Sequence, residues 1–184
     1  MILIVILIIL GILVFAAIAI YNKLVRLRNT VKSSWSDIDV QCKKRYDLVP
    51  NLVETVKGYA SHEKSVFEKV TQARSMAMQA VSPAEMAKAE NILRDTLKSL
   101  FAVAEAYPEL KANANFMQLQ SQLQDLENNI ESARRYYNAV VRDYNITIES
   151  FPSNLIASQF KFGKEEFFEL EFPEVERKSV TVSF

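Results

Sequence analysis

The stretch FMQLQSQLQDLENNIESARRYYNAVVRDYNITIESF, residues 116–151, places apolar or aromatic side chains at Phe116, Leu119, Leu123, Leu126, Ile130, Ala133, Tyr137, Val140, Tyr144, Ile148 and Phe151. Its ten intervals of three or four residues average 3.5, the period of helices that supercoil around one another in a coiled coil. A helix of this length extends roughly 50 Å and needs neighbours of similar length to bury its stripe. The pattern therefore predicts an all-α fold: an up-down antiparallel bundle of long helices. Within the stretch Tyr137-Asn138 recurs as Tyr144-Asn145, so the two Tyr and the two Asn each share a helix face. Asn beside a helix seam reads as a register device, and Trp35 on the first helix joins these four as a register residue.

Upstream, Ser82-Pro83-Ala84-Glu85 has the form of a capping box with Pro at the first helical position. It opens a helix striped by Met86, Ala89, Leu93, Leu97, Leu100, Ala104 and Tyr107, which Pro108 ends. A segment with Leu52, Val56, Tyr59, Val66, Phe67, Val70, Ala73, Ala77 and Ala80 precedes it, weakened locally by Gly58. Before that come Leu24, Leu27, Val31, Trp35, Ile38, Cys42, Tyr46 and Val49, with no breaker after Ile20. Pro50 is expected to kink this helix or start the next, so connections are expected near 50, 82 and 110.

Residues 2–20, ILIVILIILGILVFAAIAI, are 19 uncharged residues spanning roughly 28 Å as a helix, close to a bilayer's hydrocarbon thickness. A cleaved signal peptide is the competing reading, since Ala17-Ile18-Ala19 resembles a small-x-small site. Signal peptides begin with a basic region and carry a shorter apolar core; this run has neither feature, so an uncleaved anchor is expected. Lys23, Arg26, Arg28 and Lys32 follow directly and are expected to seat the helix at the membrane interface against an anionic leaflet. The positive-inside rule then puts the N-terminus outside and the helical domain in the cytoplasm.

The 184 residues balance 22 basic against 22 acidic side chains. The zero conceals polarity. Residues 21–60 carry eight basic and four acidic groups, whereas residues 164–184 carry three and six. A neutral total argues against a nucleic-acid partner. Three Gly leave no phosphate-cradling loop, and one His with one Cys excludes a zinc site built from those ligands alone. His62-Glu63 begins an HExxH pattern that fails at Val66. Cys42 falls at a core position and has no nearby His to activate it. Asp37 and Asp39 face different directions on a helix, and Lys43-Lys44-Arg45 reads as a solvated face. No catalytic, metal-binding or cofactor-binding residue is expected, and no cofactor. After Phe151-Pro152 the pattern changes: Leu155–Phe160 suits a short helix, and an acidic, aromatic tail follows. Its Phe167, Phe168, Phe172, Val180, Val182 and Phe184 are candidates for docking on the bundle or pairing with another chain. The chain thus divides into an anchor (1–20), a helical domain (21–163) and a tail (164–184).

Tyr21-Asn22-Lys23-Leu24-Val25, Trp35-Ser36-Asp37-Ile38-Asp39-Val40-Gln41, Asp47-Leu48-Val49-Pro50-Asn51-Leu52-Val53, Tyr59-Ala60-Ser61-His62-Glu63, Phe101-Ala102-Val103-Ala104-Glu105-Ala106-Tyr107-Pro108, Ala133-Arg134-Arg135 and the Tyr-Asn pairs resemble the LemA family, in order and from residue 1 to about 170. The resemblance implies a bacterial single-pass membrane protein with a soluble domain of long antiparallel helices and no established catalytic residues. It further implies scaffolding: relatives occur beside membrane metalloproteases, and one takes part in forming magnetosome membranes. The expected function is a non-catalytic, membrane-anchored scaffold that self-associates as a homo-oligomer. The alternative is an adaptor or regulator of a membrane-bound protease.

Overall fold

The structure, a computed structural model, describes residues 1–168. Phe172, Val180, Val182 and Phe184 of the expected docking set lie outside the described residues. The fold is all-α, a helical bundle with a long apolar N-terminal helix. The described elements are α1 (Ile2–Lys57), α2 (Lys64–Gln79), α3 (Pro83–Glu105), α4 (Pro108–Lys111), α5 (Ala114–Glu149) and α6 (Ser153–Gln159). The chain forms two compact units. The first holds Met1–Ile38 and Ala133–Phe167; the second holds Asp39–Ser132 and, among the described residues, Phe168.

In the second unit no new helix starts at Pro50, one of the two expected outcomes; α1 runs on through it to Lys57. A proline inside a helix frees the carbonyl four residues earlier, because it has no N–H to offer. Here that carbonyl belongs to Tyr46, and the Arg74 Nε of α2 donates to it at 2.7 Å. A side chain from a neighbouring helix thus replaces the missing backbone donor. The turn comes instead at residues 58–63, after Gly58, whose helical cost was visible in the sequence. Tyr59 and Ala60 N–H groups both close on the Val56 carbonyl (3.0 and 2.9 Å), ending α1. Arg74→Met is expected to destabilise the protein by about 1.5–3 kcal/mol, the usual loss for a hydrogen bond from a charged donor. In a Pro50→Ala background, where the backbone donor returns, the same substitution should cost clearly less. Denaturant unfolding of the four variants of this cycle reads the difference.

The second connection is as expected. Ser82 Oγ accepts from the Glu85 N–H at 3.2 Å, and Glu85 Oε2 accepts from the Ser82 and Val81 N–H groups at 3.3 and 3.1 Å. These backbone donors hold the Glu85 carboxyl below its ordinary pKa. Asn113 Oδ1 accepts from the Phe116 N–H at 3.1 Å where α5 begins. The stripe of α5 then buries Phe116, Leu123, Leu126, Ile130, Tyr137, Val140, Tyr144 and Ile148. Phe151, the last residue of the expected stripe, does not follow; it is exposed, because the helix stops at Glu149.

Candidate membrane-proximal site

In the first unit α1 leaves its apolar run at Ile20. At 1.5 Å per residue, Lys23, Arg26, Arg28 and Lys32 stand roughly 5, 9, 12 and 18 Å beyond it. Lys23, Arg26 and Lys32 are exposed. Arg28 is half-buried, and its guanidinium lies over the Phe162 ring, 5.0 Å from the centroid. The same region gathers aromatic rings that sequence reasoning did not connect. Tyr21 meets Phe160 at 4.7 Å and Phe162, edge-on, at 5.9 Å between ring centroids.

Phe162 reaches this position through the end of α6. Lys161 adopts φ 56°, in the left-handed region, which lets the Phe162 N–H reach the Ala157 carbonyl at 2.9 Å and its own N–H reach Ser158 at 3.3 Å. That is the Schellman closure of a helix, with Lys where Gly is usual. The chain then runs back along α5 as an extended segment. Tyr144 Oη donates to the Gly163 carbonyl (2.9 Å), and Tyr137 Oη donates to the Glu166 carbonyl (2.8 Å). Asn145 holds Glu165 at both backbone groups: its Nδ2 donates to the carbonyl (2.9 Å), and its Oδ1 accepts from the N–H (3.0 Å).

The seven-residue spacing of the tyrosines follows from two rise constants. Seven helical residues advance roughly 10.5 Å and three extended residues about 10 Å, so Tyr137 and Tyr144 meet backbone groups three residues apart. Asn145 therefore pairs with an extended strap, where the sequence suggested a helix–helix register. Asn138 is half-buried. The Trp35 and Tyr137 rings meet at a tilt of 56°, with 5.5 Å between centroids. Phe167 is exposed and Phe168 buried.

Burial raises the Tyr137 phenol to about 12, helped by the negative Glu165 and Glu166. It also raises Tyr144, with Glu165 adding to the effect and Arg28 opposing it. Neutral phenol is thus favoured in the folded state. The corresponding stability is complete below the ordinary value of 10.0 and is lost as pH rises toward 12. Phenolate difference absorbance should show a late, cooperative step in that window. Tyr137→Phe should remove part of its amplitude; an unchanged step would place the late phenols elsewhere.

The second unit contains a buried ionic cluster. Arg45, expected on a solvated face, is instead 3% exposed, as is Glu90. Arg45 Nη2 pairs with Glu90 Oε2, its Nη1 donates to Glu127 Oε2 at 2.5 Å, and Tyr46 Oη donates to Glu90 Oε1. Burial pushes the Tyr46 phenol up. The signal was present: Arg45 continues the 3–4 spacing of Ile38, Cys42 and Val49, and Glu90 lies four residues after Met86. Cys42 is buried and His62 exposed.

A long N-terminal helix whose apolar first part the protein leaves uncovered, continuing into a helical bundle, marks a helical protein with a candidate transmembrane segment. Residues 34–184 match the LemA family, and the chain belongs to it. It is 27% identical over 177 residues to Protein LemA of Metamycoplasma hominis, covering 94% of this chain and 78% of that one. It is 24% identical to Magnetosome protein MamQ 2 of Paramagnetospirillum magneticum (81% of this chain, 64% of that one). For Magnetosome protein MamQ of Magnetospirillum gryphiswaldense the identity is 23%, with 80% and 64% covered. The chain thus spans less than two thirds of the MamQ relatives.

Proposed function

We propose that this protein is a non-catalytic scaffold, anchored by α1 in a bacterial membrane, that self-associates and organises or shapes that membrane. One observation carries the reading: α1 is a single helix from Ile2 to Lys57. Its residues 2–16 are exposed and carry no polar or charged side chain, yet its later residues Leu24, Val31, Ile38, Cys42, Tyr46, Val49, Leu52 and Val56 are buried. The uncovered part demands an apolar solvent. Within the first unit no joint separates the uncovered part from the buried part that begins at Leu24, so a force on that unit passes into the bilayer through one helix. The likeness to two proteins named for the magnetosome adds support. The basic residues after Ile20 orient the N-terminus outside and the helical domain toward the cytoplasm.

Light scattering on the detergent-extracted full chain tests self-association; a monomer at every concentration would sink it. Orientation is read separately with Ser61→Cys, an exposed position. It should resist an impermeant alkylating reagent in intact cells and react after lysis.

A further inference from the structure

Trp35 of α1 packs on Tyr137 of α5, and the Arg28 charge acts on Tyr144. Seven residues back along α1 match seven forward along α5, the signature of an antiparallel pair. One more such step brings Phe151 level with Tyr21, the first residue after the apolar run. The chain then turns through α6, and Phe160 comes back onto Tyr21 at 4.7 Å. The corner between α5 and α6 is therefore level with the end of the run. Burial along α1 agrees: residues 1–16 are exposed, but Ala17 and Ile20, one helical turn apart, are half-covered. The first unit thus packs against the last turn of the segment that the bilayer is to hold.

That corner is apolar and uncovered. Phe151 is 79% exposed, Leu155 57%, Phe160 55% and Ile146 54%. Scattered apolar residues on a surface need no explanation, but a cluster at one corner marks an interaction surface. Its occupant follows from its place. A group level with Ile20 faces the boundary between acyl chains and headgroups, where aromatic side chains favour residence. Exposed Lys23 and Arg26 stand farther out, level with the headgroups.

We propose that the α5–α6 corner is a second membrane contact, seating Phe151, Leu155 and Phe160 in the interfacial layer of the leaflet from which α1 emerges. This rests on the anchored reading of α1. A lone span leaves tilt and rotation free, since length alone does not set them; flanking interfacial anchors do. A second contact on the same leaflet fixes the angle at which the first unit stands on the membrane.

The test uses the full chain in phosphatidylcholine–phosphatidylglycerol vesicles whose acyl chains carry bromine near the headgroup or, separately, at mid-chain. Trp35 is the chain's one tryptophan and lies roughly 21 Å beyond Tyr21 along α1, out of reach of the bromines. Emission added by Phe151→Trp or Leu155→Trp should be lost to shallow bromines, and Ile12→Trp emission to deep ones. If Ile12→Trp is quenched while the two corner variants are not, the inference falls and the anchor stands. If Ile12→Trp also escapes quenching, the anchor falls and takes the inference with it. Corner emission that is blue-shifted, indifferent to bromine and dependent on protein dilution would assign the patch to a second copy and overturn the proposal.

Discussion

Replacing Arg45 by methionine is expected to destabilise the protein by about 3–5 kcal/mol, the penalty for leaving a buried charge without its partner. Glu90, 3% exposed, would keep only the Tyr46 hydroxyl as donor among its described partners. For a chain of this size the melting temperature should fall by roughly 6–20 °C, read by far-ultraviolet circular dichroism on the full chain in detergent. Glu90→Leu should cost less, because Arg45 retains Glu127, which is 34% exposed and partly hydrated. The informative variant is the pair Arg45→Met with Glu90→Leu. Removing both charges removes the desolvation that each imposes, so the double variant should recover most of the loss and can exceed the parent. A double variant as unstable as Arg45→Met alone would show that packing, and not charge pairing, fixes these positions.

The cluster also shows where sequence patterns stop being informative. Hydrophobic spacing located α3, α5 and the buried face of α1, since burial of apolar side chains dictates those stripes. It missed Arg45 and Glu90 because the pattern scores each side chain alone, whereas a buried ion pair is acceptable only as a pair. A new helix at Pro50 failed to appear for a similar reason: the proline's local cost is real, but Arg74, 24 positions away, supplies the donor that the helix lacks. Phe151 fitted the α5 stripe because periodicity carries no information on where a partner helix ends. The Tyr137–Tyr144 repeat was visible, yet its partner was not. The strap at residues 163–167 is extended and irregular, and only the tertiary structure shows that three of its residues match two helical turns. The candidate membrane-proximal site was legible as chemistry, basic residues after an apolar run, but not as geometry: Tyr21 lies about 140 residues from Phe160 and Phe162 in sequence and meets them only through the antiparallel return of α5.

Phe162 is where that geometry should be most vulnerable. It is 8% exposed, with the Tyr21 ring edge-on at 5.9 Å and the Arg28 guanidinium over its face at 5.0 Å. Phe162→Ala should cost about 3–5 kcal/mol, the range for deleting a buried aromatic ring. Phe162→Leu keeps most of the volume and should cost under about 1.5 kcal/mol, plus about 0.5–1 kcal/mol for the lost cation–π contact. Global unfolding measures these numbers, but amide exchange decides their meaning. Phe162 sits between the αL closure at Lys161 and the first strap contact at Gly163, so its removal should release the strap before the bundle opens. The Glu165 N–H, bound to Asn145 Oδ1 at 3.0 Å, should exchange faster in Phe162→Ala by more than the global loss predicts. Core amides of α5 such as Val141 should follow the global value. If Glu165 and Val141 speed up in proportion, the strap is part of the cooperative core. In that case the tyrosines and Asn145 hold it without help from the ring.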